Sequence, residues 1–141
     1  MTLMETQEQF EQKAIMVHGM MLVCHIDGPI SSQQLALVES YAKSLPEFFG
    51  RDFHEYYEAA KSVAADAHGS VDQAVSVLVG LTSVELRKRL YVCATELARA
   101  GGLAEKEEKL LLSIQHVLEI DHELVREISH VLDVKYGLAG P

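Results

Sequence analysis

Tryptophan is absent from this chain, cysteine occurs twice and proline three times. Two cysteines make no disulfide framework, and no Cys-x-x-Cys pair offers zinc spacing. Cys24 and Cys93 fall on apolar helix faces, which points to reduced, inert thiols used as small hydrophobes. Long hydrophobic runs are missing as well. The most apolar stretch, Ala14 to Cys24, contains His18 and Gly19 and is too short to span a bilayer. The N-terminal Met1-Thr2-Leu3-Met4-Glu5 lacks the basic region of a signal peptide, so the expected location is the cytoplasm. Basic charge is scarce too. Twelve Lys and Arg stand against 21 Asp and Glu, for a formal net charge of −9. That balance repels phosphate backbones, and Arg87-Lys88-Arg89 has neither an aromatic platform nor a glycine loop beside it. Nucleic acid is not an expected partner.

Catalytic signatures are equally sparse. The chain has no nucleophile elbow, P-loop or glycine-rich dinucleotide turn. Ser31 and Ser32 lie near His25 in sequence, but Ser31 is already suited to a capping role. Glu107 and Glu108 are adjacent and point to different helix faces, so they do not share a site for acid–base work. No enzymatic constellation emerges.

What is present is a well-filled apolar composition, 48% hydrophobic over 141 residues. A chain of this length buries roughly two thirds of its unfolded surface as one domain, here 1–141. Helical spacing dominates. Phe10, Ala14, Val17, Met21 and Cys24 form one stripe before Asp27-Gly28-Pro29 ends the first helix. Ser31 and Gln34 form a capping box for a second helix that buries Leu35, Val38, Tyr41, Ala42 and Leu45 and stops at Pro46. Phe48-Phe49-Gly50 reads as a packed corner before a third helix, from about Asp52 to His68, with Gly69 as its C-cap. Ser70 to Gln73 and Thr82 to Glu85 are further capping boxes, opening a short fourth helix that closes at Gly80 and a long fifth one. Gly101-Gly102 breaks the chain before a sixth helix from Ala104 to Leu118. Asp121 then caps a seventh, with Leu124, Ile128, Val131 and Leu132 inward. The tail 137–141 reads as loose. The fold class expected is all-α with seven helices.

One helix–turn–helix pattern occurs twice, in halves of about 10–68 and 83–134. Setting Asp27 against Ala100 fixes an offset of 73 residues. That offset pairs Val17 with Leu90, Cys24 with Leu97, Gly28 with Gly101, Leu37 with Leu110 and Tyr41 with Ile114. An internal repeat of this kind can pack its copies about a pseudo-twofold axis.

Ile26-Asp27-Gly28-Pro29-Ile30-Ser31-Ser32-Gln33-Gln34 resembles the Asp-Gly-x-hydrophobic-Ser/Thr-x-x-Glu turn of the TerB-like tellurite-resistance family, and 100–111 is similar to its second copy. The likeness runs from about Ala14 to Leu132. It implies a seven-helix TerB-like domain acting as a stress-response or interaction module, with a protein partner that is membrane-associated in some settings. A related domain is joined to membrane-anchored J-domain co-chaperones, where it serves interaction. The resemblance further implies up to four carboxylates near the axis, the Asp of each turn and the Glu seven residues on. Here Asp27 and Glu107 remain, while Gln34 and Ala100 stand in the other two places. Asp27 and Glu107 are therefore the candidate metal ligands, and a divalent cation such as Ca²⁺ or Mg²⁺ is the one cofactor candidate. The same residues also read as a turn former and as first-turn capping groups.

Seven histidines add no zinc spacing, since His18 and His25 are two turns apart and His122 and His130 are eight residues apart. Met16, Met20 and Met21 on the first helix read either as core or as a face for homodimerisation.

Overall fold

A computed structural model describes residues 4–66 and 69–138. Among them the chain is all-α: 78% helical, with seven α-helices and no strand. The helices are α1 (Gln7–His25), α2 (Ser32–Ser44), α3 (Phe53–Asp66), α4 (Val71–Ser76), α5 (Val84–Ala100), α6 (Glu105–Leu118) and α7 (His122–Lys135). Single 3₁₀ turns at Pro46–Phe48 and Val77–Gly80 complete the path. The expected end of α3 at His68 and most of the tail 137–141 lie outside the described residues.

Local capping chemistry sets most of these starts. Ser31 Oγ accepts from the Gln34 backbone N–H while Gln34 Oε1 accepts from the Ser31 N–H, each at 3.1 Å. Ser70 and Asp121 cap α4 and α7 as their sequences predict. α5 departs by one residue: its N-cap is Ser83, which accepts from Leu86 N–H, while the Thr82 backbone N–H is held by Gln12 of α1. Two neighbouring hydroxyl residues can both cap, and the tertiary bond to Gln12 selects between them.

α1 and α5 are the two central helices. Residues Met16 to Met20 of α1 are consecutively buried, which a single apolar stripe cannot produce. The helix is enclosed by α3, α4, α5 and α6. Gly19 permits a close approach, because a Cβ there would stand 2.8 Å from Leu90 Cδ2 of α5. Met16 and Met20 are fully enclosed in this core, so the fold itself covers the methionine face considered for dimerisation and leaves only Met21 half-buried. The corner at 48–50 is half packed: Phe48 meets Phe53 edge-on at 5.0 Å, whereas Phe49 is exposed.

Two outer helices are rotated from their expected faces. Leu35 is 47% exposed while its neighbour Gln34 is buried, and Val131 is 63% exposed while Ile128 and Leu132 are buried. In each case the apolar pattern places the stripe correctly to within one residue, and packing against α5 decides which edge is covered.

Candidate functional site

The turn after α1 and the turn after α5 lie against one another. Gln34 occupies the third position of α2, and Glu107 the third position of α6. Gln34 Nε2 donates to Glu107 Oε2 at 3.3 Å and to the carbonyl of Leu97 at 3.0 Å. The contacting pair is separated by 73 residues, the offset that aligns the two turns in sequence. Glu107 Oε1 in turn accepts from the Ala104 backbone N–H at 2.9 Å. Each carboxylate oxygen of Glu107 thereby accepts one hydrogen bond, and the residue is buried. Gly101 makes room for this cluster: a Cβ there would stand 2.4 Å from both Gln34 Nε2 and Glu107 Oε2.

Asp27 is exposed at the rim of the same cluster. Burial pushes the Glu107 carboxyl above the usual carboxylate range, and the Asp27 charge pushes the same way. The Ala104 N–H and the Gln34 amide oppose them. The structure thus brings Asp27 within electrostatic reach of Glu107. Among the described residues, no group of three or more His, Cys, Asp or Glu is placed to hold a metal ion. Gln34, read in sequence as a capping residue standing where the resemblance implies a carboxylate, is the residue that completes the cluster. Its amide supplies the donor that a second carboxylate would lack.

Other buried acids are likewise bound to the fold. Glu96 accepts from Tyr41 Oη at 2.6 Å and Tyr136 Oη at 3.1 Å, and pairs with Lys135. Burial alone would push the Glu96 carboxyl up. The lysine and the two phenols outweigh it and hold the group below its ordinary value. Burial pushes the thiols of Cys24 and Cys93 up to about 12, so both stay protonated and unreactive.

A second feature lies on the opposite flank of α1. An open apolar groove of about 430 Å³ runs between α1 and α3, with Met21, Leu22, Ile26, Tyr57 and Ala60 in its walls and His18 lining it. It adjoins a groove of about 420 Å³ that continues past Met21, His25 and Tyr57 toward Ile30, Val38 and Ala42. The signal for this groove was present in sequence as His18 within an apolar run, but its partner wall comes from α3. Of the other histidines, His25 and His54 both line that adjoining groove, His54 also facing Glu58, and His122 meets Gln115.

No family model, curated protein or solved structure matches the chain. Function therefore rests on the geometry of the two turns and the groove. No helix among the described residues is long and apolar enough to cross a membrane.

Proposed function

We propose that this chain is a non-catalytic stress-response or interaction module of TerB-like architecture, in which two helix–turn–helix elements face each other about a pseudo-twofold axis. The observation that supports this most is the hydrogen bond from the Gln34 amide to the Glu107 carboxylate. Equivalent positions of a repeat meet each other only near a twofold axis, and these two positions carry the repeat offset. The same bond favours a scaffold over a reaction centre. The Glu107 carboxylate is buried and each of its oxygens is tied to the fold, which holds it away from a substrate in solvent.

The module would act in the cytoplasm on a protein partner, including a membrane-associated one. Val131 and Val134 are the surface best suited to it, because residues three apart share a helix face and both are exposed on α7. A second reading, a divalent-cation sensor using Asp27 and Glu107, is favoured by the proximity that lets Asp27 raise the Glu107 pKa. In that reading the cation displaces the Gln34 amide and moves the turns.

Growth of a strain lacking the chain, challenged with tellurite or an oxidant, tests the proposal. Restoration by the wild type and by Asp27→Asn, but not by a folded Val131→Lys/Val134→Lys variant, is the expected result. Failure of Asp27→Asn alone would favour the sensor. An unchanged phenotype in the strain lacking the chain would overturn both.

A further inference from the structure

The two adjoining grooves beside α1 form one apolar surface that the fold leaves open. They share Met21, His25 and Tyr57, so one runs into the other. From α2 the second groove takes Leu35, Val38 and Ala42, whose spacing of three and then four residues puts them on one helix face. Leu35, at the edge of that face, is 47% exposed. Ile30 and Phe53 line the same groove and are only half-buried, and Val71, which lines the first groove, is exposed.

Charge and backbone chemistry select what covers this surface. Glu39, one helical turn after Leu35, and Asp52, just before α3, both line the second groove and are exposed. Among the described residues neither carboxylate is in an ion pair. Asp52 Oδ1 accepts from the His54 backbone N–H at 3.0 Å, which leaves its charge unneutralised. No Lys or Arg lines the second groove, and Lys61, in the wall of the first, is already paired with Glu58 at 3.0 Å. A second copy of this chain, at −9, would bring acid against acid, and an anionic lipid surface would be repelled in the same way. A basic segment is attracted. The described residues contain no strand, so an extended peptide would find no sheet edge for its backbone. A helix brings its own backbone hydrogen bonds and needs only an apolar face to bury.

We propose that this surface docks a basic amphipathic helix of a partner protein, its apolar residues filling the two grooves over Met21 and Tyr57 and its Lys or Arg meeting Glu39 and Asp52. Burial of the apolar face supplies the affinity, and the two acids supply the selection by charge. The surface shares no lining residue with the Val131 and Val134 face of α7, so the two interaction surfaces can fail separately.

A synthetic helical peptide with leucine on one face and lysine on the other, titrated into the full chain and followed by NMR, tests it. A second peptide carries glutamate in place of lysine. The leucine–lysine peptide is expected to bind saturably and to shift the signals of Met21, Leu35 and Tyr57. The glutamate peptide should bind about fivefold more weakly, the scale of two exposed ion pairs. Leu35→Lys, at an exposed position, should weaken the leucine–lysine peptide about tenfold by removing an apolar contact and adding a like charge. Glu39→Lys/Asp52→Asn keeps an N-cap residue at position 52 and should abolish the preference for lysine over glutamate. Val131→Lys/Val134→Lys should bind the peptide as the wild type does. No saturable binding, equal affinity for the two peptides in the wild type, or shifts confined to the acids between Glu119 and Glu127 would each overturn the assignment. Unchanged affinity in a folded Leu35→Lys variant, or a dimer of the chain alone closed over Leu35 and Tyr57, would do the same. If Leu35→Lys does not fold, the wild-type shift map decides.

Discussion

The side-chain amide of Gln34 and the carboxylate of Glu107 meet 73 residues apart, each from the third position of its own helix. Gln34 also ties the end of α5 through the Leu97 carbonyl, so one side chain joins α2, α5 and α6. A neutral amide beside a buried carboxylate is a stable pairing. Two carboxylates there would not be.

Gln34→Glu is accordingly expected to destabilise the protein by about 3 kcal/mol at neutral pH, through like-charge repulsion and the lost donor to Leu97. One of the two acids then takes up a proton, and part of the loss returns as the pH falls toward 5. Millimolar Ca²⁺ should restore stability in this variant. Chemical denaturation at two pH values, with and without Ca²⁺, measures all three effects.

Gly101→Ala tests the same cluster from its backbone. The backbone at Gly101 suits any residue, with φ −81°, so the cost arises from the Cβ driven into Gln34 and Glu107. Overpacking of this kind costs about 1–3 kcal/mol. The loss should shrink when Gln34 is shortened to Ala, a coupling that a double-mutant cycle reads directly. Gly28→Ala meets no neighbour, and its cost comes from φ +117° alone. That cost should not depend on Gln34.

Glu96 governs part of the acid sensitivity. Its folded pKa is depressed below the ordinary 4.5. The stability it contributes is therefore present above pH 4.5 and is lost as pH falls through the folded value. Glu96→Gln should lower stability at neutral pH by about 1–3 kcal/mol, the scale of hydrogen bonds to a charged group, and flatten the acid limb. Glu107 has the opposite sign. Its raised folded pKa contributes stability that is full below 4.5 and is lost as pH rises through the folded value. Unfolding free energies of wild type and Glu96→Gln between pH 3 and 7 should diverge most at the neutral end.

Core and surface should separate sharply in a scan of the apolar residues. Leu90 is fully buried, and Leu90→Ala should cost about 2–5 kcal/mol. Val131→Lys and Leu35→Lys replace exposed side chains and should stay within about 0.5 kcal/mol of wild type. Thermal unfolding of the three variants checks the ranking.

These contrasts also mark what the sequence could convey. Capping is local chemistry, so Ser31, Ser70 and Asp121 announce their helices within four residues. Glycine breaks and apolar periodicity likewise place all seven helices. The width of each buried face is set by neighbours, which is why Leu35 and Val131 turn outward and Met16 is enclosed beyond the stripe. Glu107 was legible as a candidate and Gln34 as a cap, but the tertiary role of Gln34 was not. Its bonds to Leu97 and Glu107 span 63 and 73 residues, and only the packed turns bring them together. The groove was hidden for the same reason, since His18 and Tyr57 belong to different helices.

The thermal midpoint of the wild-type protein, measured in chelator and then in millimolar Ca²⁺, Mg²⁺ or Zn²⁺, tests the central claim most directly. A turn cluster completed by Gln34 predicts the same midpoint in every condition. A rise of several degrees with one metal, abolished by Asp27→Asn, would contradict it and make the cation sensor the correct reading.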